Sequence, residues 1–505
     1  METATLTELL RRHWGHEGFR PRQEDIVRAI LAGRDVAVIM PTGGGKSLCY
    51  QLPAVALGRT CVVVSPLIAL MQDQALHMER ANIPSAFLNS TLDWPEQLSI
   101  RRRAESGQLR LLYLSPERLV RDDTLEWLRR LDLSFFAIDE AHCISEWGHE
   151  FRPEYRQLRV LREAFPEKPI AAFTASATRQ VRHDILHQLG LRDPARFVVS
   201  FHRPNLRYLS RECTSRDQPA LLLRALTSYP EGNVIVYAGT IKSVEETAEW
   251  LRGKGVPAVA YHGKMETAQR QANQDRWMSG ECRVLVGTLA FGLGINKPDV
   301  RAVIHLAMPK SVEQYYQEAG RAGRDGQPAD CALLWQKRDR ALLAHFIQEI
   351  EDANERERAW QRYHAMRRYA ESERCRHRAI CLHFGETPKW EACGMCDACG
   401  SEPGWLHAAL PAASEPKPRR KEKKGRAAKT EISGEIDSAA RERLRAWRLR
   451  LAVEDGVPAY VILHDRTIDD ICRARPSTSG ELLSVPGMGP KRVERFGAQI
   501  LSLLR

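Results

Sequence analysis

Short apolar runs alternate with helical stretches along the first 335 residues of the chain. Runs of this length are typical of strands buried in a sheet, and their alternation with helices predicts parallel sheets with helices on both faces. A crossing segment at 200–208 separates two groups of runs. The predicted strands are Val36–Met40, Cys61–Val64, Leu111–Leu114, Phe135–Ile138, Ile170–Phe173 and Phe197–Val199 in the first group, and Asn233–Tyr237, Val284–Val286, Val303–Leu306 and Ala332–Trp335 in the second.

The pattern changes after the second group. Charged and aromatic residues at helical spacing predict a helical hairpin from Ala341 to about Arg374. Residues 403–438 lack apolar periodicity and indicate a flexible basic linker, after which periodic apolar positions return. We therefore predict an α/β protein with two doubly wound parallel-sheet domains (1–205 and 206–340), a helical module (341–402), the linker (403–438) and a small all-helical domain (439–505).

Length and charge narrow the class of protein. At 505 residues and 43% hydrophobic, the chain can bury several cores, and no apolar run approaches the roughly 18 residues of a membrane span. The first residues lack the apolar region of a signal peptide, so we expect a cytoplasmic protein without a membrane partner. The net charge of +11 is weak evidence for a nucleic-acid partner, because Lys417–Lys429 alone holds eight basic residues and one glutamate.

The twelve cysteines are not spaced like a disulfide framework. Three of them are separated by two residues each, which is the spacing of turns that bind tetrahedral zinc, and a fourth lies upstream. Four thiolates leave no open coordination position, so we expect a structural zinc ion. The predicted ligands are Cys375, Cys393, Cys396 and Cys399, and the nearby alternatives that we leave out are Cys381 and His383.

A glycine-rich turn follows the first predicted strand. Glycines let successive backbone N–H groups point into one concavity, which suits the phosphates of ATP. Lys46 can reach the outer phosphates, and the Ser47 hydroxyl can bind Mg²⁺ at the start of the next helix. The predicted phosphate and Mg²⁺ ligands are Thr42, Gly43, Gly44, Gly45, Lys46 and Ser47.

Two carboxylates follow another predicted strand. Asp139 can hold Mg²⁺ through water, and the adjacent Glu140 can orient or deprotonate the water that attacks the γ-phosphate. An acidic pair after a strand can also cap a helix, but its combination with the glycine-rich turn favours catalysis.

The second domain has no glycine-lysine turn, but it carries a Gln317–Gly326 motif rich in glycine and arginine. Arg321 and Arg324 are three residues apart, so we predict that they lie on one face of a helix. From there both can reach across a cleft to the transferring phosphate as arginine fingers. Hydrolysis would then depend on closure of the cleft.

Polar loops supply weaker candidates. A glutamine amide can both donate to and accept from an adenine edge, and a neighbouring aromatic ring can stack on the base. Hydroxylated turns after strands suit contacts with a nucleic-acid backbone, although each is unremarkable as an ordinary turn. The candidates are Phe19, Arg20 and Gln23 for the base, and Ser65, Pro66, Ser176 and Thr178 for nucleic acid.

These motifs resemble those of the RecQ family of bacterial DNA helicases. The resembling stretches are LRRHWGHEGFRPRQ, MPTGGGKS, SPLIALMQDQ, DEAH, CISEWGHEFRPEY, TASAT, AFGLGINKPDVR, YYQEAGRAGRDG, the cysteine cluster and a C-terminal domain like the HRDC module. In the family, CISEWGHEFRPEY is the aromatic-rich loop that couples single-strand binding to hydrolysis. Stacking on aromatic rings tolerates any base, which suits a translocase. The matching residues are Trp147, Phe151, Arg152 and Tyr155.

The resemblance implies two RecA-like lobes that close on ATP and a 3′-to-5′ helicase that unwinds DNA in repair and recombination. It implies that Gln23 reads adenine and that Gly294 and Asn296 line the ATP cleft, with Gln317 among the catalytic residues. Single-stranded and tailed or branched duplex DNA would be the substrates, with single-strand-binding protein and recombination factors as partners at the nucleoid. Tyr460 and Lys491 are weaker DNA-binding candidates in the HRDC-like domain.

The chain also departs from the family pattern. Tyr237–Lys242 lacks the usual cysteine, serine and arginine, and Ala319 replaces a usual hydroxyl residue. The linker is shorter than the roughly 50 residues of a small domain, so we predict that the family's winged-helix domain is missing and that Lys417–Lys429 partly replaces it. A translocase that does not unwind, an RNA helicase and a DNA-binding scaffold are the alternatives.

Overall fold

The computed structural model describes residues 3–89, 92–288, 297–407, 437–454 and 459–504. They form two compact units, of which the first comprises Met1–Asp339 with Ala353–Ala409 and the second comprises Arg340–Asp352 with Leu410–Arg505. The first unit contains lobe one (residues 3–200), lobe two (206–339) and a cysteine module (353–407). Among the described residues, none of the helices combines the length and the hydropathy of a membrane-spanning segment.

Lobe one is built on a seven-stranded sheet in which every pair of neighbours is parallel, in the order β3-β4-β2-β5-β6-β1-β7. Strands β1, β2, β4, β5 and β6 are buried along their whole length, as expected for a parallel sheet covered on both faces. The strands are β1 (Val36–Ile39), β2 (Thr60–Val64), β3 (Ser85–Leu88), β4 (Leu111–Leu114), β5 (Leu133–Ile138), β6 (Ile170–Thr174) and β7 (Ala195–Val198).

Helices surround this sheet, and helix α3 starts directly behind the glycine-rich turn. The helices are α1 (Thr3–Trp14), α2 (Gln23–Leu31), α3 (Lys46–Leu57), α4 (Ile68–Arg80), α5 (Trp94–Glu105), α6 (Pro116–Leu119), α7 (Asp122–Arg129), α8 (Pro153–Arg156), α9 (Val160–Ala164) and α10 (Arg179–Gln188), with 3₁₀ turns at Ala141–Ile144 and Gln157–Arg159.

Lobe two repeats the architecture with six parallel strands in the order β10-β11-β9-β12-β13-β8. The strands are β8 (Leu206–Glu212), β9 (Asn233–Tyr237), β10 (Ala258–Tyr261), β11 (Val284–Gly287), β12 (Val300–His305) and β13 (Ala329–Trp335). The helices are α11 (Asp217–Ser228), α12 (Ile241–Gly253), α13 (Thr267–Met278) and α14 (Val312–Ala319), and α15 (Lys337–Gln348) follows the last strand.

The cysteine module is helical and contributes to the core of lobe two. Its last helix lies within the segment predicted to be linker, yet Trp405 and Leu406 are buried in the lobe-two core. The helices are α16 (Ala353–Glu371), α17 (Arg376–His383) and α18 (Gly404–His407), with a 3₁₀ turn at Asp397–Cys399.

In the second unit, described residues from 437 onward form a bundle of helices around Leu444, Ile468, Leu482 and Ile500, all fully buried. The sequence predicted periodic apolar positions in this part of the chain. The helices are α19 (Ser438–Glu454), α20 (Ala459–Ile462), α21 (Asp465–Ala474), α22 (Ser479–Leu483) and α23 (Pro490–Leu504).

The predicted fold class, two parallel-sheet domains followed by helical modules, is confirmed. Three strands were missed: β3, β8 and β10. All three lie at sheet edges, where a strand pairs on one side only and is not required to be a continuous apolar run.

Candidate active site

The turns that follow β1, β5 and β6 meet at the carboxyl edge of the lobe-one sheet, because these strands are neighbours in the order β5-β6-β1. A cleft of about 1450 Å³ opens at this edge and is also lined by residues of lobe two. Twelve predicted site residues are brought together around it. They are Arg20, Gln23, Thr42, Gly43, Gly45, Lys46, Ser47, Asp139, Glu140, Gln317, Arg321 and Arg324.

The glycine-rich turn is held from outside through its carbonyl groups. Gln23 Nε2 donates to Gly44 O and Gly45 O at 3.2 Å each, and Arg20 donates to Gly43 O. In a trans peptide the C=O and N–H groups point in opposite directions, so the N–H groups of Gly45 and Lys46 face the other side of the turn. The Gly44 N–H donates to Pro41 O at 3.0 Å. A Cβ at position 45 would lie 2.3 Å from Gln23 Nε2 and displace this amide, and the φ of +82° at Gly45 also favours glycine.

Lys46 starts α3 with its side chain folded against the turn, where Nζ donates to Met40 O at 3.1 Å. Burial lowers the pKa of Lys46, while the charges of Glu140 and Asp139 act to raise it. A half-buried ammonium group at the N-terminus of a helix is suited to bind a phosphate, and the two carboxylates beside it are suited to bind Mg²⁺.

Asp139 and Glu140 follow β5 and differ in environment. Burial raises the pKa of Asp139, and the neighbouring charge of Glu140 acts in the same direction. Burial also acts to raise the pKa of Glu140, but the hydrogen bond and charge of His142 outweigh it and lower this pKa. Glu140 has a φ of +47°, an uncommon value for a non-glycine residue. The two adjacent carboxyl groups therefore differ in proton affinity, and Glu140 stays ionised to a lower pH than Asp139.

His142 was not singled out from the sequence, although it is the last letter of the Asp-Glu-Ala-His motif. It is fully buried, with Nδ1 2.9 Å from Thr174 Oγ1 and 3.2 Å from Glu140 Oε2. Its Nε2 lies 3.6 Å from Glu150 Oε2. The imidazole therefore links the acidic pair to the end of β6 and to the aromatic-rich loop.

The two arginines of lobe two do not lie on a helix, contrary to the prediction. Helix α14 ends at Ala319, and Arg321 and Arg324 lie in the turn that follows. Gly323 breaks the helical path with a φ of +55°, and a Cβ there would lie 2.5 Å from Asn205 Nδ2. Burial lowers the pKa of Arg324 to about 9, and the charge of Arg321 adds to this effect. Two crowded guanidinium groups favour an anion in the cleft.

Gln317 connects this turn to lobe one, since its Nε2 donates to Ser176 Oγ at 3.0 Å. Thr178 has a local role, because its hydroxyl accepts from Val181 N and caps α10. Ser65 is buried at the end of β2.

The predicted aromatic-rich loop (residues 143–155) has one aromatic residue at the protein surface and another beside the acidic pair. Trp147 is 46% exposed, whereas Tyr155 is fully buried and donates from its hydroxyl to Asp139 O at 2.9 Å. Arg152 donates to Pro66 O at 2.9 Å, and the Phe151 ring lies under the Arg156 guanidinium. One short segment therefore carries both an exposed aromatic ring and a contact with the main chain of Asp139.

Several predicted residues lie elsewhere. Phe19 packs against the core cluster of Leu6 and Leu10 and is not among the residues that line the cleft. Gly294 and Asn296 lie outside the described residues, as do the side chains of Tyr460 and Lys491.

The four predicted zinc ligands come together. The sulfur atoms of Cys375, Cys393, Cys396 and Cys399 all lie within 4.8 Å of one another, and none forms a disulfide. Four convergent thiols fit a tetrahedral zinc ion. His383, an alternative ligand, instead pairs with Glu313 of lobe two at 2.6 Å.

Four family models match the chain. They are described as DEAD/DEAH box helicase (residues 20–184), helicase conserved C-terminal domain (217–326), RecQ zinc-binding (337–400) and HRDC domain (437–504).

Similar proteins cover nearly the whole chain. A Pasteurella multocida protein named ATP-dependent DNA helicase RecQ is 33% identical over 99% of this chain and 94% of its own length. A Bacillus subtilis protein of the same name is 32% identical over 98% and 97%. Among solved structures, Saccharomyces cerevisiae Dbp5 bound to RNA and ADP BeF3 has a TM-score of 0.54, with 15% identity over 72% of this chain and 91% of that chain. At this identity the likeness shows the fold alone.

Proposed function

The chain belongs to the RecQ family of ATP-dependent DNA helicases, and we propose that it uses ATP hydrolysis in the cleft to move 3′ to 5′ on single-stranded DNA and to unwind duplexes. The observation that carries this proposal is the meeting of the glycine-rich turn, the acidic pair and two arginines of lobe two around one cleft.

Each element has a proposed part in hydrolysis. The N–H groups of the turn and Lys46 bind the β- and γ-phosphates, and Ser47 and Asp139 hold Mg²⁺, which neutralises charge on the phosphates when it is bound. Glu140, kept ionised by His142, orients and deprotonates the attacking water. Arg321 and Arg324 stabilise the charge that develops on the transferred phosphate.

Adenine recognition by Gln23 stays a prediction, and the Gln23 side chain already has other hydrogen-bond partners. Its amide already donates to the glycine-rich turn and its Oε1 accepts from Arg20 N at 2.8 Å. We propose that Gln23 shapes the turn and that any contact with the base requires exchange of these bonds.

For DNA, we propose that Trp147 stacks on a base and that Tyr155 transmits this contact to Asp139. Arg152, Ser65, Pro66, Ser176 and Thr178 remain candidates for backbone contacts. We infer a zinc ion held by the four cysteines, with a structural part. Cys396 neighbours Asp397, which accepts from Ser210 N of lobe two at 2.7 Å, so the metal would also order β8.

The winged-helix domain is proposed to be absent. The alignment with the Pasteurella protein runs over 595 positions, more than the 505 residues of this chain, so part of it consists of gaps here. Lys417–Lys429 lies outside the described residues. If this segment replaces the wing, neutralising it lowers duplex affinity and flattens its salt dependence, and an unchanged salt slope contradicts the idea.

Repair and recombination roles, and association with single-strand-binding protein at the nucleoid, follow from the family and are likewise proposals. The decisive test follows ATP hydrolysis and strand separation on duplexes with a 3′ or a 5′ single-stranded tail, for the wild-type protein and Lys46→Ala. Unwinding of the 3′-tailed duplex alone, abolished by Lys46→Ala, is the expected result. DNA-stimulated hydrolysis without unwinding would instead identify a translocase, which the short linker favours.

A further inference from the structure

Arg203 makes an unusual set of contacts in the segment that joins the two lobes. Its Nη1 donates to Thr42 O of the glycine-rich turn at 3.1 Å and to Gly320 O of lobe two at 3.2 Å. Its Nη2 donates to Ala322 O at 3.1 Å and to Gly323 O at 3.0 Å. One guanidinium group thus holds main-chain carbonyls from both walls of the cleft.

The carbonyls on the lobe-two side belong to the turn that carries both candidate arginine fingers. Arg321 and Arg324 flank Ala322 and Gly323, so the position of this turn decides where the two guanidinium groups lie. The turn also follows the C-terminus of α14, where a positive charge is favourable.

The contact on the lobe-one side fixes a peptide of the glycine-rich turn. Because Thr42 O points to Arg203, the Gly43 N–H points in the opposite direction. The two walls touch closely here, since a Cβ at Gly43 would lie 3.5 Å from Arg324 Cγ. Movement of Arg203 would therefore disturb a phosphate-binding peptide and the arginine turn together.

The start of the segment that joins the two lobes is held by the cysteine module. Glu386 of the cysteine module accepts from Ser200 Oγ at 2.6 Å and from Phe201 N at 2.8 Å, and the rings of Phe201 and Phe384 stack with centroids 4.4 Å apart. Arg203 thus extends from an anchored segment into the cleft.

We propose that Arg203 is a positioning residue for hydrolysis, which sets the arginine turn of lobe two against the glycine-rich turn of lobe one. This role rests on the proposed ATP hydrolysis, and Arg203 acts on hydrolysis only through the two turns that it positions. The guanidinium group holds four carbonyls through Nη1 and Nη2 in one planar fork, which the ammonium group of lysine cannot reproduce.

The test compares Arg203→Met and Arg203→Lys with Arg196→Met, which removes an exposed arginine from β7 of the same lobe. We expect DNA-stimulated kcat for ATP to fall about tenfold or more in Arg203→Met, with an intermediate loss in Arg203→Lys, while KM changes less than about threefold and the melting temperature stays near that of Arg196→Met. Arg196→Met should match the wild type.

A double-mutant cycle with Arg321→Ala separates positioning from general support of the fold. If Arg203 acts through the arginine turn, Arg203→Met lowers kcat by less than about twofold in the Arg321→Ala background. Two outcomes would overturn the role of Arg203 and leave the proposed function intact. One is an equal loss of kcat from Arg203→Met with and without Arg321. The other is an unchanged kcat in Arg203→Met while the wild type hydrolyses ATP and Lys46→Ala does not. No Lys46-dependent hydrolysis in the wild type would overturn the proposed function and this role with it.

Discussion

Gln317 Nε2 donates to Ser176 Oγ across the cleft at 3.0 Å, which ties the helix leading to the arginine turn of lobe two to the end of β6 in lobe one. Both partners are buried, so the hydrogen bond is shielded from water and its loss leaves a polar atom unsatisfied. This bond is therefore a direct way for a change at one lobe to reach the other.

Removing either partner should weaken DNA-stimulated hydrolysis. We expect Gln317→Ala and Ser176→Ala each to lower the stimulated rate about fivefold, as for loss of one buried neutral hydrogen bond, and the double variant to lose no more than either single variant. Steady-state hydrolysis with saturating single-stranded DNA measures this. Gln269→Ala, an exposed glutamine of α13 in lobe two, is the matched control, and additive losses would show that the two residues act separately.

The carboxyl of Asp139 should destabilise the nucleotide-free protein at neutral pH. Burial and Glu140 raise its pKa from 3.8 to about 6, so this group contributes stability that is present below pH 4 and is lost as pH rises through 6. We expect Asp139→Asn to stabilise the protein by on the order of 2 kcal/mol at pH 7.5 and by less at pH 5, while hydrolysis falls about 100-fold or more.

Thermal unfolding of the protein without Mg²⁺ and nucleotide, at the two pH values, measures this effect. Glu167→Gln removes an exposed carboxylate of lobe one and should change neither quantity. An Asp139→Asn variant that is less stable than the wild type at pH 7.5 would show that the ionised carboxylate is satisfied by its neighbours.

Most of this site could be predicted from the sequence, because the chemical groups of the site are concentrated in short motifs beside buried strands. Lys46, Asp139 and the cysteine ligands were found in this way, and the central strands follow from continuous apolar runs. Arg203 was overlooked because its partners are main-chain carbonyls, which every residue has and which a sequence pattern therefore does not reveal. These partners are also distant from Arg203 in the chain. The helical placement of Arg321 was wrong for a related reason. Helix α14 already ends at Ala319, and the turn that follows it is held by a distant residue, because Asn205 donates to the carbonyl of Gly323.

Trp147 should contribute directly to single-strand binding. Its ring is 46% exposed while Tyr155, in the same segment, is buried against Asp139, so the tryptophan is the part of the loop that can stack on a base. We expect Trp147→Ala to weaken single-stranded DNA affinity about tenfold, measured by fluorescence anisotropy with a labelled oligonucleotide. Trp94→Ala is the matched control, since Trp94 is 66% exposed on α5 of the same lobe; an equal loss in both variants would contradict a specific part for the loop.

Zinc removal should loosen lobe two as well as the cysteine module. Arg376, next to the ligand Cys375, pairs with Asp397 at 2.8 Å, and Asp397 also accepts from Ser210 N of β8. We therefore expect Cys396→Ser to release the metal, to lower the melting temperature by roughly 5 °C or more and to increase hydrogen exchange in β8. Cys381→Ser is the control, because Cys381 is equally buried in the module but lies outside the four-sulfur cluster. Protection of β8 that survives metal release would mean that the Asp397 contacts, and not the ion, hold the module against lobe two.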